Sequence, residues 1–406
     1  MNLPKQLFHW LEQRQATLCH RQLLVITGQE DWAKSAAVAS LDQSHFQNIL
    51  WVGDAQPEYE NIHIKNYRAK LGHEYDCVVL NCFNGFRANA VMAISGTVKA
   101  QGLMILLCPD LDSWPEFDDP EKINRISYAQ NSQQIDSQFF RYLSTAFTED
   151  NLVAICTEEQ FSGSVAIVDK KSQVHQFEHQ NTAIEGIIKV AVGHRNRPLV
   201  LTADRGRGKS SALGLAAAEL MKKHCKTIYV TALHLDNTEQ IFKHAVRVLP
   251  TASVDKNKVT YQDSSLRFKP VDQLLNCNEN IDLVLVDEAS SLPIHILVKL
   301  TSKFPRIVFS STLHGYEGSG RGFEMRFIQQ LSELKPDFKR IQMLHPIRWY
   351  KQDTLEKFWF DTLFHNEQQK IESIQPMDQS ISCRHILKTQ LLKDTQLLAS
   401  IFKLLI

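Results

Sequence analysis

The sequence predicts an α/β protein of two successive parallel-sheet domains, the second built around a phosphate-binding loop. Three observations predict it. Short apolar runs alternate with polar or amphipathic stretches along most of the chain, the pattern of parallel strands with helices on the sheet faces. The stretch Ala203-Asp204-Arg205-Gly206-Arg207-Gly208-Lys209-Ser210 follows one such run and opens an alanine- and leucine-rich segment. Strand, glycine turn, Gly-Lys-Ser and helix are the parts of a phosphate loop. A later run, 281–286, ends in the pair Asp287-Glu288, at the strand end where open α/β sheets bind ligands.

Composition bounds the alternatives. The 406 residues suffice for two or three domains. Lys plus Arg (45) balance Asp plus Glu (45), so there is no global basic footprint for nucleic acid, and RNA would need a local patch. No apolar run reaches membrane-spanning length, and the N-terminus lacks a signal-peptide core. The eight cysteines are scattered without a Cys-x-x-Cys pair. That argues against a zinc ribbon and fits a reduced, cytoplasmic setting.

In chain order, residues 1–20 read as a helix, with Leu7, Trp10, Leu11 and Leu18 at helical spacing. Strands are predicted at 23–28, 48–53, 75–81 and 103–109, with a loop at 113–134. A helix follows at 137–147, then two strands, 152–156 and 164–168. No strand here is followed by Gly-Lys-Ser/Thr, and Asn81 ends the third where an NTPase would place a metal-binding aspartate. This first domain, 1–170, reads as a nucleotide-binding fold without its phosphate loop, structural or protein- and RNA-contacting rather than catalytic.

The second domain, 171–380, opens with a helix at 181–193. Gln180 sits just ahead of the loop strand. A glutamine upstream of the loop reads adenine in many helicase motors, its amide offering both a donor and an acceptor; glutamines at helix starts are also common. In the loop, Gly206 and Gly208 permit backbone angles that a side chain forbids, so that N–H groups turn on a polyphosphate at the positive end of a helix. Lys209 would bridge the β- and γ-phosphates, and Ser210 would hold Mg²⁺. The motif's opening glycine is replaced by Ala203, tolerable where no positive φ is needed. Asp287 would hold Mg²⁺ and Glu288 would activate the attacking water; the bland reading of that pair is a helix N-cap. Further strands are expected at 227–232, 306–313 and 338–344, and helices at 240–249 and 271–275, while 256–270 is undecided. The strand at 306–313 ends in hydroxyls that would face a γ-phosphate or simply close a turn. The glycine-dense 314–323 carries Arg321, read as an arginine finger acting in cis, against the plainer reading of a linker. The helix at 353–366 places Leu355, Phe358, Trp359 and Leu363 on one side, as core. A strongly apolar helix, 392–406, ends the sequence, a hydrophobic end that suggests further chain.

The loop, Val286-Asp287-Glu288-Ala289, the Gly315–Phe323 stretch and Pro346-Ile347-Arg348-Trp349 together resemble one family, the bacterial tRNA(Met) cytidine acetyltransferases. The likeness covers nearly the whole chain. It implies a RecA-like, helicase-like P-loop ATPase module that hydrolyses ATP or GTP to present the wobble cytidine of elongator tRNA(Met). A GNAT-type domain then transfers acetyl from acetyl-CoA to the cytidine N4. Carried over, Gln180 would contact adenine, the positions from Ala203 to Ser211 would wrap the phosphates, and Arg321 would also contact ATP. No pyrophosphate-binding loop for acetyl-CoA is found after Arg321. Residues 381–406 therefore read as the start of a truncated GNAT-type region, the acetyltransferase domain being missing or supplied separately. The alternatives are a stand-alone RNA helicase or translocase and a catalytically idle RNA-binding assembly protein.

Overall fold

The computed structural model describes residues 3–122, 137–169, 177–204, 206–224, 226–312, 326–365 and 383–405. The chain divides into two compact units, residues 1–173 with 349–406, and residues 174–348. The sequence reading cut the chain at 170 and 380; the units instead return residues after 348 to the first.

The first unit is a sheet with helices around it. Its elements are α1 (Lys5–Ala16), β1 (Gln22–Thr27), α2 (Glu30–Asp42), β2 (Ile49–Val52), β3 (Glu60–Ile62), β4 (Tyr75–Asn81), α3 (Ala88–Ser95), β5 (Val98–Cys108), α4 (Gln138–Glu149), β6 (Ala154–Cys156) and β7 (Phe161–Ser162). The order across the sheet is β3-β2-β4-β5-β1-β6-β7, parallel except for β6 against β7. Every residue of β1 is buried, as a central parallel strand covered on both faces requires. The strand expected at 164–168 is corrected. Gln22 accepts from the Ala166 N–H at 3.0 Å, and only an isolated bridge joins Cys19 to Ile167. The segment is held by that one antiparallel bridge, the His20 N–H donating to the Ala166 carbonyl and the Val168 N–H to the Leu18 carbonyl, and by the Gln22 side chain, without growing into a ladder.

Arg21, 1% exposed, draws the late segment into this unit. Its guanidinium donates to Asp353 Oδ1 from Nε at 3.0 Å and Nη2 at 2.8 Å, to the Ser95 carbonyl at 2.7 Å, and stacks over Trp349 at 3.5 Å. Asp353 also caps the helix Thr354–Thr362, accepting from the Glu356 N–H. Leu355, Phe358 and Trp359 are buried; Phe358 stacks on Phe147. The aromatics are core, as their spacing predicts.

The second unit contains α5 (Glu178–Val192), β8 (Leu199–Ala203), α6 (Lys209–His224), β9 (Thr227–Thr231), α7 (Glu239–Val248), β10 (Ser253–Asp255), β11 (Lys258–Tyr261), β12 (Ser264–Phe268), α8 (Val271–Leu275), β13 (Leu283–Val286), α9 (Ile294–Lys303), β14 (Ile307–Thr312), a helix Ile328–Leu334 and β15 (Lys339–Met343). Its sheet runs β10-β11-β12-β9-β13-β14-β8-β15, parallel from β12 onward. Side chains alternate between two cores. Leu199, Leu201, Leu283 and Leu285 pack with α5, α6 and α7 residues, while Val200, Val284 and Val286 pack with Leu297, Leu300 and Leu331 on the opposite face. The undecided stretch 256–270 supplies β11 and β12, an antiparallel extension of the edge.

Leaving out the edge additions, the five central strands take the order second-third-fourth-first-fifth in both units: β2-β4-β5-β1-β6 and β9-β13-β14-β8-β15. The expected α/β class with two parallel-dominated sheets holds. No helix among the described residues is long and apolar enough to cross a membrane.

Candidate nucleotide site

The loop strand β8 is flanked by β14 and β15, so its C-terminal end opens among strand ends on both sides. Ala203 is the last residue of β8. It is extended, which explains why alanine serves where glycine is usual. The turn that follows needs its glycines: Gly206 has φ 74° and Gly208 φ 83°, the left-handed region that L side chains avoid. A Cβ on Gly208 would stand 2.4 Å from Ile347 Cδ1 and 2.7 Å from Gln180 Nε2. α6 starts at Lys209, so the turn delivers its N–H groups to a helix N-terminus, the geometry that cradles phosphate.

Lys209 is 7% exposed. Its Nζ donates to Thr312 Oγ1 at 2.9 Å and to the Ala203 carbonyl at 3.4 Å, and lies 4.0 Å from Glu288 Oε1. Ser210 Oγ donates to Asp287 Oδ2 at 3.0 Å, bringing together two residues 77 apart in sequence. A hydroxyl and a carboxylate are the hard oxygen donors that Mg²⁺ takes. Asp287 is 1% exposed, and burial, with the neighbouring Glu288 charge adding to it, pushes its carboxyl up to about 6. A buried carboxylate so costly to ionise fits a cation bound beside it. The Thr231 hydroxyl, fully buried and without a hydrogen-bond partner, lies on the strand whose last residue pairs with Val286.

Glu288 adopts left-handed backbone angles, φ 45° and ψ 50°, a conformation that costs an L residue about 1 kcal/mol. Its carboxylate accepts from Thr312 Oγ1, which stands 2.9 Å from both Oε1 and Oε2. Thr312 Oγ1 therefore accepts a hydrogen bond from Lys209 and donates its own to Glu288. The sequence marked this residue only as a strand-end hydroxyl; in the fold it joins the loop lysine to the acidic pair.

Gln180, buried in the first turn of α5, points its amide at the loop, Nε2 lying 3.5 Å from the Gly208 carbonyl. Ser211 and Arg207 are buried, and Asp204 follows β8 directly. Arg205 and Arg321 lie outside the described residues. Ile347, quoted only within a motif by the sequence, donates its N–H to the Gly206 carbonyl at 3.0 Å and lays its side chain on Gly208. Its position three residues past a strand not yet ordered in the sheet gave no signal of that contact.

In the first unit the corresponding strand end is filled by its own side chains. Asn81 donates from Nδ2 to Asp54 at 2.8 Å and Asn84 at 2.9 Å, and Lys34 bridges Glu30 and Asp54.

Comparison with known proteins follows the same division. Residues 2–158 match the family model of the N-terminal domain of tRNA(Met) cytidine acetyltransferase TmcA. Residues 200–366 match that of the RNA cytidine acetyltransferase NAT10/TcmA helicase domain. Among curated proteins, the chain is 34% identical over 404 residues to a tRNA(Met) cytidine acetyltransferase TmcA of Nitrosococcus halophilus, covering 95% of this chain and 54% of the relative. It is 35% identical over 368 residues to that of Vibrio cholerae, covering 89% and 48%. With that of Thermococcus kodakarensis it shares 32% over 334 residues, covering 74% and 40%. The chain thus spans about half the length of the curated relatives it matches.

Proposed function

Since the chain belongs, by its N-terminal and helicase domains, to the tRNA(Met) cytidine acetyltransferase family, we propose that it binds and hydrolyses a nucleoside triphosphate to remodel tRNA for acetylation. The observation that carries this is the meeting of Lys209, Ser210, Asp287, Glu288 and Thr312 at one end of the sheet, at the ends of β8, β13 and β14. Lys209 and the loop N–H groups hold the phosphates. Ser210 and Asp287 would hold Mg²⁺, which supplies charge neutralisation when bound. Glu288, oriented by Thr312, takes the proton of the attacking water. Arg321 completes the reading as the arginine that contacts the triphosphate.

The RNA we propose is elongator tRNA(Met), acetylated at N4 of its wobble cytidine in the cytoplasm. Acetyl transfer from acetyl-CoA is assigned to sequence beyond the matched half of the relatives. A stand-alone translocase is the second reading, favoured by the strand order that the two units share; it predicts unwinding of a duplex by this chain alone. The test is nucleotide hydrolysis by the purified chain with and without tRNA(Met). We expect tRNA-stimulated hydrolysis, its loss in Lys209→Ala, and no acetyl transfer from labelled acetyl-CoA. Wild-type protein without hydrolysis under any of these conditions would leave the idle-assembly alternative.

A further inference from the structure

Beside the phosphate loop lies a group of side chains that phosphate chemistry does not use. β15 runs parallel to β8, Met343 in register with Ala203, so the chain after Met343 emerges at the same sheet end as the loop. Within four residues it is fastened twice. The Leu344 N–H donates to His179 Nδ1 at 3.1 Å, and the Ile347 N–H donates to the Gly206 carbonyl. Between these ties, the His345 ring stacks on that of His179, centroids 4.0 Å apart and planes 7° from parallel. His179 precedes Gln180, whose amide touches the loop at Gly208. Both residues are part-exposed, with His345 Nδ1 buried.

Each feature suits a heteroaromatic base. Two parallel rings held in place offer a flat π-surface, which every base can stack on. An amide alongside offers a donor and an acceptor. The hydrogen bond at His179 Nδ1 fixes that ring's orientation, and Ile347 adds apolar surface. Gln180 and Ile347 touch the loop that would hold the phosphates, and the two histidines are their chain neighbours, where helix α5 and the strap 344–347 meet.

We infer that the stacked His179–His345 pair is the platform for the nucleotide's purine base, next to the Gln180 that the family resemblance already places on adenine. This rests on the proposed phosphate site and extends it to the base. The amide's paired donor and acceptor match adenine, whose edge presents N6–H₂ and N7, better than guanine, which presents two acceptors there. The platform therefore supplies affinity and Gln180 supplies the preference for ATP over GTP.

The test compares MgATP, MgGTP and inorganic tripolyphosphate with Mg²⁺, the last carrying the phosphates without a base, by calorimetric titration of the 406-residue chain. Wild type should bind ATP more tightly than tripolyphosphate. His345→Ala and His179→Ala should each weaken ATP binding about tenfold, the order of a lost base–aromatic stack, and leave tripolyphosphate unchanged. His345→Phe should restore ATP binding, and Gln180→Ala should erase the preference for ATP over GTP. Equal loss for ATP and tripolyphosphate in the alanine variants, or none for either, would overturn the platform. So would wild type holding tripolyphosphate as tightly as ATP, a result that needs no variant and leaves the phosphate site standing. Wild type binding none of the three would overturn the phosphate site and the platform together.

Discussion

Thr312 gives the sharpest prediction. Its single hydroxyl proton goes to Glu288 while its oxygen accepts from Lys209. Thr312→Val keeps the branched shape and removes both interactions. A hydrogen bond to a charged group contributes about 1.5–3 kcal/mol, so a misplaced Glu288 should slow hydrolysis roughly 10- to 150-fold. Nucleotide affinity should hardly change, because the loop N–H groups and Lys209 remain. The assay is steady-state phosphate release together with separately measured nucleotide binding. Glu288→Gln alone should cost about 10²–10⁴ in kcat. If Thr312 works through Glu288, the double variant should be no slower than Glu288→Gln, a non-additive cycle. Unchanged turnover in Thr312→Val, turnover and binding falling in step, or additive losses in the double variant would each refute the relay.

Two further outcomes follow from buried charge. Asp287 holds its proton up to about pH 6 in the folded chain, against an ordinary value of 3.8. Stability therefore falls as pH rises through that window, by about 3 kcal/mol in total. Asp287→Asn should be more stable than wild type at pH 7.5 in magnesium-free urea titrations, and the gap should close at acid pH below that window. In the first unit, Asp353→Ala leaves the Arg21 guanidinium buried and unpaired, which should cost about 3–5 kcal/mol by chemical denaturation. Arg21→Met with Asp353→Leu should recover part of that loss.

Much of this was legible in the sequence, and the reason is local. β8, the turn at Gly206 and Gly208, and Lys209-Ser210 are contiguous, so strand, turn and helix signals sit within a dozen residues. β13 with Asp287-Glu288 is likewise a continuous run. Gln180 was legible as a residue type upstream of the loop, and the structure sets its amide beside Gly208. What stayed hidden depends on strand order. That β14 and β15 flank β8, and so bring Thr312 and Ile347 to the loop, is a matter of sheet topology, which periodicity does not encode. The β10–β12 extension was hidden for another reason: its short strands are rich in polar residues and carry no apolar run. The strand expected at 164–168 shows the reverse error, an alternating apolar pattern that makes a single antiparallel bridge to residues 18–20 and bonds to the Gln22 side chain instead of joining the sheet as a strand.

The first unit is closed by residues that follow the second in sequence. Arg21 and its carboxylate partner are 332 positions apart. At translation rates of about 5–20 residues per second, that separation corresponds to roughly 15–65 s of synthesis. Throughout that interval the nascent amino-terminal sheet carries a guanidinium with no counter-ion and an uncovered aromatic patch around Phe147. The P-loop unit, contiguous in sequence, has every strand it needs before the helix bearing Asp353 leaves the ribosome. The order of maturation is thus opposite to the order of synthesis: the later-made P-loop unit can be finished first, and the first-made portion last.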